Sequence, residues 1–244
     1  GKTALCRWLQ TAAHENVDAD TLSISHGSVD GRTLNPLIKA LGDKFQLSEH
    51  PEEQHAAIIS EQLALSPTDS LVVDFAGIYE ADQTHASTMT DQGVVSVAEK
   101  RAILVRLLSY LAHKRPFILV IDDAHWASGS LAFLRRYLNT AEAAPLCVLL
   151  AYDGQRGQTA QSASPLDDLH PNVPHTHLNL ERLDVPHIRS WLSSMSHLEQ
   201  AHIDNLISIS EGNPLFVTVM VVQSADVDSE EFRGDELSIR DLIL

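Results

Sequence analysis

The sequence predicts an α/β fold, a parallel sheet flanked by helices, on three observations. Two apolar runs of strand length, 117–121 and 146–152, carry no polar alternation, which is the mark of strands buried on both faces. Stretches with helical apolar spacing precede and separate them, and connections of that length between strands imply crossovers rather than hairpins. The chain has 244 residues, enough for one large α/β domain with a smaller appendage.

The elements follow in order. Ala4, Leu5, Trp8 and Leu9 set a helix over 2–14, and the short Ser- and β-branched stretch 21–25 reads as a strand. Helices follow near 33–45 and 51–65, the second with Pro51 in its first turn. Residues 71–75 fit strand and helix equally, and 84–93 reads as a polar loop. Val97, Ile103, Leu104, Leu107, Leu108 and Leu111 mark a helix over 94–114 that leads into the strand at 117–121. A helix over 130–139 and a strand over 146–151 come next, then a stretch at 154–165 rich in Gly, Gln, Ser and Ala that reads as a mobile loop. Residues 176–180 alternate and predict a shorter strand, and from Asp184 onward the pattern is helical. The expected organisation is therefore a core over 1–183, a helical region over 184–225 and an acidic stretch over 226–244. That last stretch sets Asp226, Asp228, Glu230, Glu231, Asp235, Glu236 and Asp241 against Arg233 and Arg240, the pattern of a solvated linker.

Composition narrows the function. Apolar residues make up 44% and charged residues 20%, as in ordinary globular domains. No apolar run approaches the roughly 18 residues of a membrane-spanning helix. Seventeen basic against 33 acidic residues leave a formal charge of −16, which opposes binding to nucleic acid phosphates or an anionic bilayer. Cys6 and Cys147 stand far apart and form no disulfide framework, so a cytoplasmic setting is expected. Thirteen histidines form no HExxH or Cys/His metal pattern, and His175 and His177 read as a solvated edge.

Two motifs carry chemistry. Gly1-Lys2-Thr3 at the head of the first helix matches the second half of the phosphate loop GxxxxGK[ST]. In that loop backbone N–H groups wrap phosphates, the lysine reaches the β/γ oxygens and the hydroxyl ligates Mg²⁺. Pro116 and the apolar run 117–121 end in Asp122 and Asp123. Two adjacent carboxylates at the carboxyl end of a buried strand repel each other unless a cation sits there, which is the logic of a Walker B motif. On this reading Asp122 holds the Mg²⁺ shell and Asp123 orients or deprotonates the water that attacks the γ-phosphate.

The stretch 119–134, with Asp122-Asp123-Ala124-His125-Trp126, resembles the Asp-Asp-x-His-Trp segment of AAA+/STAND regulatory ATPases of the origin-recognition-like type. Arg32-Thr33-Leu34-Asn35-Pro36-Leu37, the Ser-Glu-Gly-Asn-Pro-Leu-Phe run at 210–216, and 237–244 resemble further segments of that family, the last being the start of its winged-helix region. The resemblance implies a P-loop NTPase core of the ASCE/AAA+ type with a C-terminal helical lid. It implies ATP or ADP and Mg²⁺ as ligands, bound by Gly1, Lys2, Thr3 and Asp122, with Gly212 and Pro214 against the adenine. Lys2 and Asp123 take the catalytic roles, and Thr3 and Asp122 the metal. Its sheet order is 2-3-4-1-5, with strand 1 directly before the phosphate loop. The chain opens at Gly1, so that strand is expected to be missing between 146–151 and 176–180, and the chain reads as a fragment of a longer polypeptide that binds nucleotide poorly on its own.

Three positions depart from the resembled pattern. Asp123 is shorter than the Glu of typical AAA+ motors, Ser128 stands where an Asp is usual, and Tyr152-Asp153 replaces an Arg near the γ-phosphate, with Arg156 a shifted substitute. His125 suits either a phosphate contact or a helix cap, and Trp126 suits packing. The resemblance implies a slow nucleotide-driven switch that relays a signal to covalently attached cyclase, kinase or DNA-binding effector domains and forms homo-oligomers on activation. A non-hydrolysing, nucleotide-stabilised interaction module is the alternative, and an origin-type DNA-binding ATPase a third.

Overall fold

The computed structural model describes residues 1–26, 33–84, 95–140, 146–153, 174–195 and 200–225. Three strands, β1 (Asp20–Ser25), β2 (Phe117–Asp122) and β3 (Leu146–Leu150), form one parallel sheet in the order β1-β2-β3. The central strand is the run without polar alternation: Phe117 to Ile121 are all buried, as a strand covered on both faces and paired on both edges requires. Its register sets Leu22 and Val148 either side of Leu119, and Ser25 beside Asp122.

Nine helices are described: α1 (Lys2–Val17), α2 (Asn35–Lys44), α3 (Glu52–Leu63), α4 (Ser70–Thr84), α5 (Val97–Lys114), α6 (Ser128–Thr140), α7 (Val185–Ser193), α8 (Gln200–Ser210) and α9 (Pro214–Ala225). Local chemistry marks several of their starts. Pro36 opens α2 and Pro186 opens α7, where a missing N–H costs nothing. Ser96 and Glu99 form a reciprocal capping box on α5, and the Ser96 hydroxyl and backbone N–H hold the Glu99 carboxyl below its usual range.

The ambiguous stretch 71–75 is helical. Leu71, Val72, Phe75, Ala76, Ile78 and Tyr79 are buried while Val73 and Gly77 face out, a helical spacing that five residues cannot display but the fifteen of α4 do. That face packs on α2: the Phe45 and Phe75 rings meet edge to face with centroids 5.7 Å apart. Tyr79 lies so close to Gly42 that a Cβ there would stand 2.0 Å from its ring. Arg106 of α5 ties α4 from its other side through Asp74 at 2.9 Å and the Ser70 hydroxyl at 2.8 Å.

The strand expected at 176–180 is not formed. These residues are exposed, Leu178 by 69%, and belong to no ladder. Alternation supplies a face to bury but not a partner strand, and backbone without a ladder or a covering layer gains nothing from β-propensity. Of the loop expected at 84–93, Thr84 ends α4 and the rest lies outside the described residues, as do the loop expected at 154–165, with Arg156, as well as Arg32, the acidic stretch 226–244 and the expected winged-helix start at 237–244. Among the described residues no helix is long and apolar enough to cross a membrane.

The chain divides into two compact units. The larger, within Gln10–Pro174, holds the sheet with α2 to α6 around a core that includes Ile24, Ile38, Leu41, Phe75, Leu108, Leu119 and Phe133. The other comprises the described residues within Gly1–Leu9 and His175–Leu244. There α7, α8 and α9 pack Ile188, Leu192, Ile203, Leu206, Val217 and Val221 together.

Asp184 caps α7: its carboxylate accepts from the His187 backbone N–H at 3.0 Å and contacts the His187 ring. The backbone bond foremost, then the ring, hold the Asp184 carboxyl below its usual range, and Arg189 does the same for Asp204. A carboxyl lowered on folding contributes stability above its unfolded value, near 3.9, and loses that contribution as pH falls through the folded value. Asn caps as well as Asp but carries no charge. In Asp184→Asn the melting temperature is therefore expected to lie below the parent's at pH 5 to 6, with the gap closing toward pH 3. Circular dichroism melts across that range measure it, and a gap that widens on acidification contradicts the assignment.

Candidate functional site

The carboxyl ends of parallel strands are where open α/β sheets bind ligands, because the crossover loops diverge there. There β2 ends at Asp122, beside Ser25 of β1, and Asp123 follows it directly. Backbone bonds set the turn after β2 in place. The Ala124 N–H donates to the Ala151 carbonyl at 2.8 Å, and the Ala151 N–H donates to the Ile121 carbonyl at 2.9 Å. The two acids are thus fastened to the end of β3 as well as to their own strand.

Asp123 adopts a left-handed backbone conformation with φ of 51° and ψ of 42°. Asp is one of the few residues other than Gly that visits this region readily. Its N–H donates to the Asp122 Oδ1 at 3.0 Å, which orients the Asp122 carboxylate. The Asp122 side chain is half-buried at the strand end while that of Asp123 is 52% exposed, so the neighbouring acids stand in different environments. Asp153 follows Ala151 by two residues, beyond the end of β3, and is half-buried.

His125 was expected to cap a helix or touch phosphate, and it caps nothing. Its side chain is 7% exposed and neither ring nitrogen makes a hydrogen bond among the described residues. Trp126 lies against it, with ring centroids 5.1 Å apart, and is itself 40% exposed rather than packed in the core.

Lys2 and Thr3 occupy the first turn of α1, Lys2 exposed and Thr3 half-buried. The Gly1 carbonyl accepts the Leu5 N–H at 3.0 Å, the bond that opens the ladder of α1.

Gly212 and Pro214 belong to the turn between α8 and α9. Gly212 has φ of +83°, and a Cβ there would stand 2.5 Å from the Leu183 carbonyl oxygen, so both conformation and space demand glycine. The Leu183 N–H donates to the Gly212 carbonyl at 2.8 Å, and Arg182 pairs with the Glu211 carboxylate at 2.8 Å and its carbonyl at 3.0 Å. Asn213 caps α9 through the Leu215 N–H at 3.1 Å, and Pro214 takes the first helical position. The Gly-Asn-Pro sequence therefore has a complete structural reason as a helix-starting turn. Its close contact with Leu183, 29 positions earlier, carries no local sequence signal.

Among the described residues no group of three His, Cys, Asp or Glu is placed to hold a metal ion. Mg²⁺ on a nucleotide does not need such a cage, since it keeps several waters and takes one or two carboxylates plus phosphate oxygens. A single half-buried Asp122, oriented by the neighbouring N–H, fits that requirement.

Residues 1–149 match the family described as the AAA ATPase domain, and the chain belongs to that family. The fold agrees: a parallel three-stranded sheet flanked by helices, with the acidic pair at the carboxyl end of its central strand. The family establishes a nucleotide-binding ATPase module of the P-loop type. Searches of curated proteins and of solved structures return no match.

Proposed function

We propose that the chain is an ATP-binding, slowly hydrolysing switch in which Lys2, Thr3, Asp122 and Asp123 form one site. The observation that supports it most is the acidic pair at the carboxyl end of β2, fastened to β3 through Ala151. Thr3 and Asp122 would hold Mg²⁺, which when bound would neutralise phosphate charge. Lys2 and the N–H groups at the head of α1 receive the β/γ-phosphate oxygens. Asp123, more exposed than Asp122, orients the attacking water and accepts its proton. Gly212 and Pro214 would flank the adenine, with the α7–α9 helices as the lid. Nucleotide state then changes how that lid packs, and the change passes to attached effector domains of cyclase, kinase or DNA-binding type in the cytoplasm, with homo-oligomers forming on activation.

A charge-assisted hydrogen bond contributes about 1.5–3 kcal/mol, so Lys2→Ala is expected to weaken ATP binding by roughly 10- to 150-fold. Calorimetric titration of the parent and variant measures this, and a variant that titrates like the parent overturns the assignment of Lys2. A second reading, a module that holds ADP as a structural ligand without turnover, is favoured by Asp153, whose charge at the sheet edge repels a γ-phosphate. Tight nucleotide binding without phosphate release selects it. The formal charge of −16 weighs against a DNA-binding ATPase, which a steeply salt-dependent affinity for duplex DNA would reinstate.

A further inference from the structure

We propose that His125 is a positioning residue for Asp123. With nucleotide bound, the Asp123 carboxylate closes onto the buried imidazole, whose Nδ1–H holds one oxygen so that the other faces the attacking water. This rests on the ATPase reading above and assigns within that site a residue that touches neither nucleotide nor water.

The imidazole is 93% buried by its 7% exposure, and neither nitrogen has a hydrogen-bond partner among the described residues. A desolvated polar group left unpaired costs stability. Folds seldom keep one unless a partner arrives in some state of the molecule. Asp123 is that partner by geometry. It is the one described residue whose carboxylate comes within 4.0 Å of the ring, with Oδ1 at 4.0 Å from Nδ1. A hydrogen bond needs about 3 Å. The missing ångström is a rotation of the Asp123 side chain, because the carboxylate is 52% exposed and its backbone is already fixed by the left-handed turn and the bond to Asp122. The ring, by contrast, is held: Trp126 lies against it at 5.1 Å and the flanking Ala124 and Ala127 are fully buried. A fixed donor beside a mobile acceptor makes His125 the reference that Asp123 moves to. A water-orienting carboxylate misplaced by about 1 Å can lose of the order of 100-fold in rate, which is the scale on which such a reference acts.

Two substitutions separate positioning from packing. His125→Phe keeps a ring of similar size without an N–H, and His125→Asn places an amide N–H close to the position of Nδ1. The expected result is a kcat lower by roughly 10- to 100-fold in His125→Phe with KM for ATP within about twofold of the parent, and recovery in His125→Asn to within about threefold. Equal losses in both variants, or a loss carried by KM, would show a structural role and overturn the proposal. A second measurement does not depend on turnover: the ring-nitrogen NMR signals of His125, assigned by their absence in His125→Asn, recorded with and without a non-hydrolysable ATP analogue and Mg²⁺. The Nδ1 signal is expected to shift on adding the analogue to the parent and not to Asp123→Gly, which tolerates the left-handed backbone but has no carboxylate. No shift in the parent, or the same shift in Asp123→Gly, overturns the pairing. A parent that binds the analogue but releases no phosphate removes hydrolysis from the proposed function while the ring signals still decide the pairing. A parent that binds no nucleotide defeats both.

Discussion

Asp123→Asn is expected to lose ATP turnover by about 100- to 10,000-fold, the range for removing a general base, while binding ATP within about threefold of the parent. Asn is the informative replacement because it tolerates the left-handed backbone at this position, with φ of 51°, at least as well as Asp. Ala would add backbone strain of about 1 kcal/mol or more to the chemical loss and blur the two. The amide keeps the size and the accepting oxygen but cannot take a proton from water. Asp122 keeps its contact with the N–H of residue 123 in the variant, because that donor is backbone. Phosphate-release assays beside calorimetric titration check the split. Turnover that survives in Asp123→Asn removes the catalytic role from this residue, and a parallel loss of binding moves it into the nucleotide site.

Leu119→Ala is expected to destabilise the larger unit by about 2–5 kcal/mol, the range for deleting a fully buried Leu side chain. Leu119 lies near the midpoint of β2, with 0% exposure, and β2 is paired on both edges, to Leu22 of β1 on one side of this residue and Val148 of β3 on the other. Neither side can collapse into the gap without bending a ladder. With a total stability of about 5–15 kcal/mol for a typical domain, a loss of this size is a large fraction of the whole. Urea unfolding should show a lower midpoint with an unchanged slope, and a midpoint shift corresponding to under about 1 kcal/mol would mean that β2 is less tightly enclosed than its burial indicates.

What could be read from the residues alone depended on whether the determining contact was local. The central strand was legible because burial on both faces suppresses polar alternation within five residues, Phe117 to Ile121, and the acids that follow mark its end. Helix starts were legible where the cap is written beside them, as with Pro51 and Asp184. Residues 71–75 were ambiguous because a run that short shows no period, and the helix is visible only with Ile78 and Tyr79 included. The stretch 176–180 misled because its alternation is real but a strand is defined by its neighbour, and none of the described strands pairs with it. In the candidate site, the positions of Asp122 and Asp123 at a strand end could be foreseen, whereas the seclusion of His125 could not. Burial of a histidine beside an exposed tryptophan has no sequence pattern. Nor could the bond from Ala124 to Ala151, which joins residues from two successive strand ends.

The contacts of Arg182 and Leu183 with Glu211 and Gly212 have a mechanical meaning. The polypeptide reaches α7 only after being clasped to the turn that launches α9, so the three-helix unit is closed on itself like a buckled strap. The residues that lead into α7 therefore also fix the turn that opens α9, so loosening either place is expected to loosen the other.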